Sequence, residues 1–464
     1  MGGYTGLEWL ALAERELLFF AGFFFLLGAV DELAVDAAWA WLKLTGKAKT
    51  GRIDREAVQG RPLSGNAAVL IPAWREAGVI GPTVSHALAA WPQPELRLYV
   101  GCYPNDPETA DAVRRAAGDD ARIRIVVHDR PGPTTKADCL NTIYRSLCDE
   151  ELASGQRFRM IVLHDAEDMV DPAELVVMDR ALAHAEFVQL PVRPEPQPVS
   201  PWVAGHYSDE FTEAHAKAMV VRDALGAALP AAGVGCAFDR EILGRLAERR
   251  SIGLPFSPES LTEDYELGLV IKQLGGRARF LRLRDGDGQL IATRACFPAQ
   301  LGLAIRQKSR WVHGIAFQGW DRMGWTAHPA GLWMLLRDRR GPLAAIVLAC
   351  AYLMLALGAI LWLAELGGLI RPWRRDTLIE VVIAFCIASF VWRAGMRFAF
   401  TTREYGPMEG LMAIVRIPVA NFIAILSGRR ALSAYLLTLR GATPKWDKTH
   451  HDAHPVLMRQ RRTP

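Results

Sequence analysis

The stretch "RMIVLHDAEDMVDP", residues 159–172, decides the fold of this chain, because an apolar run ends there in a cluster of acids. Asp165, Glu167, Asp168 and Asp171 follow the run within seven positions. A short β-branched run predicts a buried strand, which would carry the acids at its end. Solvent exposure of the acids and helix capping by Asp171 are the simple explanations, and the rest of the sequence is needed to choose.

Similar runs recur between residues 66 and 194, separated by stretches with helical spacing such as Pro82–Trp91 and Pro107–Ala117. The runs are "AAVLIPAW", "ELRLYVGCYP", "RIRIVVHD", "RMIVLHDAED" and "FVQLPV". This alternation predicts an α/β fold with a mostly parallel sheet covered by helices. Ligands of such sheets bind outside the carboxyl ends of the strands. Several polar clusters fall at those ends, which favours a site over separate solvated loops.

Apolar segments flank this region, and 51% hydrophobic residues with a mean hydropathy of +0.10 predict a membrane component. The sequence predicts spanning helices at 17–42, 341–366 and 376–400. Segment 408–440 is predicted to form interfacial or re-entrant helices, with a fourth spanning helix as the alternative, because Arg416 lies in its apolar centre. The remaining segments are an N-terminal segment at 1–16, interfacial helices at 296–340 and a C-terminal tail at 441–464.

Charge gives the expected topology. Basic residues follow the first predicted span without a matching excess before it, which places the domain at 43–295 in the cytoplasm and the N-terminus outside. Asp31, Glu32 and Asp36 lie within that span and are expected to face other helices or water. The net charge is only +4, so no nucleic-acid partner is expected. The 7 cysteines show no C-x-x-C spacing, which argues against a disulfide framework or a zinc site.

Three short motifs carry candidate chemistry. Asp165 and Glu167 form a D-x-E pair that could hold a divalent cation against a diphosphate, whereas Asp168 is left unassigned. "LTEDYELGL" offers Asp264, with Glu263 beside it, as a general base, although helix capping by Thr262 explains the same residues.

The third motif is Q-x-x-R-W, made of Gln307, Arg310 and Trp311. Helical spacing would place Gln307 beside Arg310, where the arginine could stabilise a diphosphate and the tryptophan could form the floor of a sugar site. An aromatic membrane-interface belt is the simple alternative. Each of the three motifs is weak evidence alone.

Together and in this order, between membrane segments, the motifs resemble the family 2 membrane-embedded processive glycosyltransferases of the cellulose and hyaluronan synthase type. The longer series that includes "IPAWRE", "GCYPNDPET", "KADCLN", "AAGVGCAF" and "WDKTHH" is similar to the bacteriophage adsorption protein B family. That resemblance implies a GT-A domain and an inverting, metal-dependent transferase that uses Mg²⁺ or Mn²⁺. It also implies a UDP-sugar donor, a growing exopolysaccharide as the glycan acceptor, the bacterial inner membrane, and an outer-membrane export partner.

The resemblance also implies roles for individual residues. Asp264 would be the base, and Glu263, Gln307, Arg310 and Trp311 would complete the catalytic and acceptor side. The remaining implied contacts are Pro72, Ala73, Glu76, Lys136, Asp138 and Asn141 for the nucleotide, Asp165 and Glu167 for the metal, Asp165 also for the donor, and Gly233 and Gly235 for the acceptor. Asp106 would replace an aspartate of the family's D-D-G turn, from which this chain departs, and a packing role is the alternative for the glycines.

Two other functions stay open. Transfer of one sugar to a polyprenyl-phosphate lipid carrier is disfavoured by the Q-x-x-R-W motif, which such enzymes commonly lack. A catalytically inactive membrane component of a phage-receptor glycan system is disfavoured by retention of Asp165, Glu167, Asp264 and Arg310. The sugar is expected to be a hexose or an N-acetylhexosamine, with N-acetylmannosamine suggested by the family.

Overall fold

The computed structural model describes residues 4–48, 50–326, 328–370, 377–442 and 453–460. The "WDKTHH" motif at 446–451 lies outside the described residues, as do residue 376 of the third predicted span and most of the tail at 441–464.

The strands pair into one large sheet and two short parallel pairs. In chain order they are β1 (Gly51–Arg52), β2 (Ala67–Pro72), β3 (Leu96–Cys102), β4 (Ile123–Val127), β5 (Met160–Leu163), β6 (Phe187–Gln189), β7 (Val192–Pro194), β8 (Cys236–Asp239), β9 (Ala278–Phe280), β10 (Leu283–Arg284) and β11 (Thr293–Ala295). The large sheet has the order β4-β3-β2-β5-β8-β6-β9, and β8 alone runs antiparallel to its neighbours. The predicted α/β fold with a mostly parallel sheet is confirmed.

Helices cover both faces of the sheet, and long apolar helices flank it. They are α1 (Gly6–Leu44), α2 (Arg55–Gln59), α3 (Ile80–Ala90), α4 (Pro107–Ala117), α5 (Lys136–Ser154), α6 (Glu174–Ala181), α7 (Gly205–Glu213), α8 (Met219–Ala224), α9 (Arg240–Arg249), α10 (Glu263–Gln273), α11 (Leu301–Val312), α12 (Gly319–Met323), α13 (Pro329–Arg339), α14 (Gly341–Leu366), α15 (Thr377–Tyr405), α16 (Pro407–Val415), α17 (Ile417–Leu439) and α18 (Pro455–Gln460). Short π-helical segments, Ala214–Ala218 and His313–Gln318, join α7 to α8 and α11 to α12.

The sheet register places the acidic cluster beside the first βα loop. β2 runs parallel to β3 on one side and to β5 on the other, with Leu70 aligned to Leu163. The strands are almost wholly apolar because both faces of a parallel sheet are buried. Since these strands end at one edge, the residues that follow them meet there.

Four described helices are long and apolar enough to cross a membrane: α1, α14, α15 and α17. The first begins at Gly6 rather than at residue 17, because Thr5 and Glu8 form a capping box that starts the helix early. The segment predicted at 408–440 is two helices, α16 and α17, which meet at Arg416. By length and composition, α17 meets the condition for the alternative of a fourth spanning helix.

The acids of α1 face other helices, as expected. Asp31 accepts a hydrogen bond from Trp333 Nε1 at 2.6 Å and pairs with Arg337 and Arg340. Asp36 pairs with the Lys217 ammonium at 2.6 Å. These pairs connect the first apolar helix to the helices around the active-site domain.

Arg416 is a buried charge with dedicated partners. Its guanidinium makes two hydrogen bonds to the Asp209 carboxylate, at 2.9 and 2.7 Å, and a third to Glu409 at 2.8 Å. Arg416 and Asp209 are both 0% exposed. The arginine that argued against a simple span therefore fastens the α16–α17 junction to α7 of the sheet domain.

Removing one partner of this pair should be costly. Asp209→Ala is expected to lower the free energy of unfolding by about 3–5 kcal/mol, because it leaves Arg416 buried without its main counter-charge. In the matched control, Asp111→Ala breaks an exposed pair with Arg114 and should cost less than about 1 kcal/mol. Denaturation of the detergent-solubilised protein measures both, and equal small effects would contradict the assigned role.

Candidate active site at the carboxyl edge of the sheet

The loop after β2 is held against the loop after β3. Arg75 adopts a left-handed φ of 54° and donates its backbone N–H to Asp106 Oδ2 at 2.6 Å. The Glu76 N–H donates to Thr109 Oγ1 at 3.0 Å, and Glu76 itself is buried. Pro72, which ends β2, leads into this loop. Four predicted nucleotide-side positions, Pro72, Ala73, Glu76 and Asp106, are therefore brought together.

The loop after β4 packs against the loops after β2 and β3. The side-chain amide of Asn105 bonds both the N–H and the carbonyl of Gly132, each at 2.8 Å. Gly132 packs directly on the Trp74 ring, since a Cβ there would lie 2.6 Å from the ring. The Trp74 and Tyr103 rings meet edge to face, with centroids 4.9 Å apart. The result is an aromatic wall beside the loops after β2 and β3.

Helix α5 delivers Lys136 at its first residue. Thr135 and Asp138 form a capping box, in which Asp138 Oδ2 accepts from the Thr135 N–H at 3.1 Å. The Asn141 amide is occupied by the backbone of Phe256, through bonds of 2.8 and 3.1 Å. Both side chains thus have structural partners, and their contact with a nucleotide stays a prediction.

The acidic cluster separates into different roles. Asp165 is one-third exposed and pairs with the Lys136 ammonium, Nζ to Oδ1, at 2.5 Å. Asp168, which the sequence left unassigned, is buried and accepts from the Asp165 N–H at 3.0 Å. Asp171 is also buried, pairs with Arg55 at 3.0 Å and accepts from the Ala173 N–H ahead of α6. Asp168 and Asp171 therefore support the turn.

A buried histidine sits behind this turn. His164 Nδ1 lies 2.9 Å from Asp168 and its Nε2 lies 3.0 Å from Glu174. Burial alone would lower the pKa of His164, but Glu174 and Asp168 raise it to about 10. His164 thus places one ring nitrogen against each of two acids, behind the turn that carries Asp165.

Glu167 faces a different neighbour, Cys296. The Glu167 side chain is 8% exposed. Its position near Cys296 shows in that thiol, since burial and the charges of Glu195 and Glu167 raise the pKa of Cys296 to about 12. Within the described ranges, no group of three or more His, Cys, Asp or Glu side chains is arranged to hold a metal ion. Asp165 and Glu167 would fit a cation only if a ligand supplied further oxygens, as nucleotide phosphates do for Mg²⁺.

The T-E-D residues, Thr262, Glu263 and Asp264, lie at the start of α10, near Lys136. Burial, with the charge of Asp264, raises the pKa of Glu263 to about 7. Burial also raises the pKa of Asp264, with Asp165 adding to the rise, whereas Lys136 and Arg310 oppose it. Raised carboxyl pKa values suit a general base, whose basicity must approach the operating pH. Thr262 occupies the N-cap position but makes no capping hydrogen bond, so the simple capping explanation fails for its side chain.

Lys136 is the cation common to these acids. Burial would lower the pKa of its ammonium, but Asp165, Glu263 and Asp264 together raise it above the ordinary value. Arg310, on α11, opposes the rise in the pKa of both T-E-D carboxyls. The D-x-E, T-E-D and Q-x-x-R-W motifs therefore contribute charges to one site.

The predicted glycines pack against functional residues. Gly233 has a φ of 76°, and a Cβ there would overlap the Asp264 carboxylate, whose Cγ would be 3.1 Å away. Gly235 has a φ of 57°, and its Cβ would overlap Thr293, with Cβ–Cβ at 3.1 Å. Gly233 thus borders Asp264 and Gly235 packs on Thr293, and contact of either glycine with an acceptor stays a prediction.

The Q-x-x-R-W helix reaches the T-E-D motif through its π-helical extension. A Cβ on Gly314 would lie 2.5 Å from Thr262 Oγ1, and Gln318 Oε1 accepts from the Leu261 N–H at 3.0 Å. Trp311 lies among the rings of Tyr207, Phe211 and Phe297, with centroids 6.2, 6.3 and 6.5 Å away. Gln307 is buried one turn before Trp311.

Residues 65–314 match the protein family described as "Glycosyltransferase like family 2". The chain belongs to glycosyltransferase family 2. It is 33% identical over 408 residues to the bacteriophage adsorption protein B of Escherichia coli K12 and to the bacteriophage N4 adsorption protein B of Escherichia coli O157:H7. The match covers 83% of this chain and 54% of each relative, so the chain spans about half the length of these curated relatives.

The fold also matches that of a solved glycosyltransferase. The mannosyltransferase PcManGT from Pyrobaculum calidifontis, in complex with GDP-Man and Mn²⁺, superposes with a TM-score of 0.51 at 18% identity. The match covers 88% of this chain and 98% of that one. The predicted GT-A fold and the membership of a glycosyltransferase family are confirmed.

Sequence reasoning missed several residues of this family 2 site. His164 and Glu174 flank the acidic cluster, and a histidine directly before D-x-E was the available signal for the first. Gly314 and Gln318 follow Q-x-x-R-W in "RQKSRWVHGIAFQGW", residues 306–320, but no spacing rule connects them with Thr262. Their roles follow from the fold alone.

Gly233→Ala tests the approach of the glycine loop to Asp264. We expect about a 100-fold loss of transferase turnover, because the new methyl group displaces the carboxylate and small misplacements cost that much. Gly226→Ala is the matched control, since Gly226 also has a positive φ, 64°, but open space where the Cβ would stand. Turnover in membranes carrying each variant is the measurement, and equal losses would show that backbone strain rather than the Asp264 contact is responsible.

Proposed function

We propose that this protein is an inverting, metal-dependent glycosyltransferase that moves a hexose or N-acetylhexosamine from a UDP-sugar to a growing exopolysaccharide. The observation that carries the proposal is the convergence of Asp165, Glu263 and Asp264 on Lys136, with Arg310 acting on the same acids. In this arrangement the buried cations Lys136 and Arg310 can bind a diphosphate leaving group next to a carboxylate that acts as general base.

The donor is proposed to bind along the aromatic wall and the loops after β2 and β3. Trp74 and Tyr103 border this region, and Glu76 and Asp106 lie on the same side of the sheet edge. Lys136, as the first residue of α5, presents a cation toward the diphosphate at a helix N-terminus that favours anions. Asp138 caps the start of this helix, and Asn141 binds the backbone of Phe256.

Asp165 and Glu167 are the proposed metal side chains. Two carboxylates plus phosphate oxygens and water form a donor set typical of Mg²⁺ or Mn²⁺ in nucleotide enzymes. When bound, the cation would neutralise charge on the departing diphosphate. The solved PcManGT holds GDP-Man and Mn²⁺, which supports a nucleotide-sugar and metal site on this fold.

Asp264 is the proposed base. An acceptor hydroxyl oxygen attacks the anomeric carbon while Asp264 takes the hydroxyl proton, and the bond from that carbon to the diphosphate oxygen breaks with its electron pair leaving on UDP. Arg310 and Lys136 stabilise the negative charge that develops on the leaving group. A single displacement inverts the anomeric carbon. Gln307 and the Trp311 ring cluster supply the acceptor side.

The four apolar helices support a location in the bacterial inner membrane, with the catalytic domain in the cytoplasm and the glycan leaving along the helices beside α11. Similarity to bacteriophage adsorption protein B supports a part in phage adsorption. An outer-membrane export partner for the glycan is part of the same proposal. N-acetylmannosamine is the proposed sugar among the N-acetylhexosamines.

Asp264→Asn tests the function and the base together. Membranes carrying the protein should release UDP from one member of a panel of UDP-sugars when Mn²⁺ or Mg²⁺ is present. The variant should lose about 10²–10⁴-fold in rate, because an amide cannot accept the acceptor proton. Asp287→Asn, the same change in an exposed turn, should leave the rate unchanged.

The products of the same reaction distinguish the proposed polymer from transfer of a single sugar. A ladder of long glycans on a gel supports polymerisation, and a single lipid-linked sugar would overturn it. Unchanged turnover in Asp264→Asn would remove Asp264 from the role of base.

A further inference from the structure

The turn that carries Asp165 and Glu167 contacts a residue almost three hundred positions later in the chain. Thr83, on α3, directs its Oγ1 to the carbonyl of Ala166, the residue between the two acids, at 2.6 Å. His454, directly before α18, places its Nε2 2.9 Å from the same Thr83 oxygen. Thr83 and His454 are each 1% exposed. These three groups form a buried chain of hydrogen bonds that ends on the D-A-E turn.

Counting protons assigns the direction of each bond. A threonine hydroxyl has one hydrogen, and the shortest acceptor available to Thr83 is Ala166 O. The Thr83 oxygen then accepts from His454, whose Nε2 carries the hydrogen, and the His454 ring also bonds the Asp168 backbone in the same turn. The other ring nitrogen, Nδ1, accepts from the Val456 N–H at 3.2 Å, which fits the same tautomer.

Thr83 has a competing acceptor in its own helix. Its Oγ1 also lies 3.2 Å from Val79 O, the carbonyl one turn earlier. Without a donor from His454, the Thr83 hydroxyl loses a bond that orients it, and its hydrogen is then shared between Ala166 O and Val79 O. Whenever it turns to Val79 O, the buried Ala166 carbonyl has no partner. An unpaired buried carbonyl costs free energy, so the turn would shift to recover a bond.

The rest of the C-terminal segment keeps His454 in this position. Helix α18 packs on α3, and Met458 Sδ lies 3.4 Å from Cys296 Sγ, beside the buried Glu167. On the opposite side of the turn, Asp168 and His164 hold the Asp165 N–H. The turn is therefore fixed from the sheet side by His164 and from the α3 side by the Thr83–His454 pair.

We infer that His454, acting through Thr83, is a positioning residue for the D-A-E turn, so that the C-terminal segment sets the affinity of the site for a divalent cation and the donor diphosphate. The inference rests on the proposed function in one respect, that Asp165 and Glu167 hold the cation. Neither His454 nor Thr83 touches the donor.

The test uses paired variants of the full chain. Thr83→Val and His454→Leu remove a hydrogen bond and keep similar bulk, whereas Thr83→Ser and His454→Gln keep a hydroxyl and an N–H donor. His86→Leu is the matched control, because His86 also lies on α3 but bonds Val170 O, beyond the turn. Hydrogen exchange of the amides at 165–169 is measured first, and the Mn²⁺ concentration for half-maximal UDP release second.

We expect Thr83→Val and His454→Leu to speed exchange in the turn and to raise the required Mn²⁺ concentration about tenfold, as loss of one buried hydrogen bond predicts. The double variant should be no worse than His454→Leu alone, and Thr83→Ser and His454→Gln should stay near the parent. Exchange and Mn²⁺ dependence that match those of His86→Leu, or additive losses in the double variant, would overturn the inference. A parent protein that releases no UDP would instead refute the proposed function, while the exchange rates would still decide whether the turn is positioned in this way.

Discussion

The ion pair between Lys136 and Asp165 is the constraint on which the site depends. Burying several carboxylates together is unfavourable unless cations compensate them. Lys136 is placed by the capped start of α5 and meets acids from two other elements, the turn after β5 and the start of α10. The parallel register of β2, β3 and β5 makes this meeting possible, because it ends the strands at one edge.

The same principle of compensated charge explains how the apolar helices join the catalytic domain. Asp31 and Asp36 of α1 would be unfavourable in a lipid-facing helix, but they are paired with basic residues of neighbouring elements. Arg416 is likewise paired with Asp209. These charges lower the apolar character of the helices, yet their ion pairs fix the long apolar helices to the domain that carries Asp264 and Arg310.

Much of the fold was predictable, since β-branched runs, helical spacing and apolar length depend on neighbouring residues. The strands around residues 67–72 and 160–163, and the placing of D-x-E at a strand end, follow from such local patterns. The different roles of the acids in the cluster do not follow from local patterns. Asp168 and Asp171 differ from Asp165 only in the partners that the fold brings to them, His164 and Arg55. The contribution of His454 is still less predictable, since it depends on a contact between segments far apart in the chain.

The central claim is that the edge of the sheet holds a divalent cation jointly with a nucleotide diphosphate through Asp165. Electron paramagnetic resonance of Mn²⁺ added to the detergent-solubilised protein, with and without UDP, tests this most directly. The account predicts weak Mn²⁺ binding alone and much tighter binding with UDP, because the proposed ligands Asp165 and Glu167 leave further positions for phosphate oxygens. It also predicts loss of the UDP effect in Asp165→Asn. Mn²⁺ binding that is indifferent to UDP, or that survives Asp165→Asn unchanged, would contradict it.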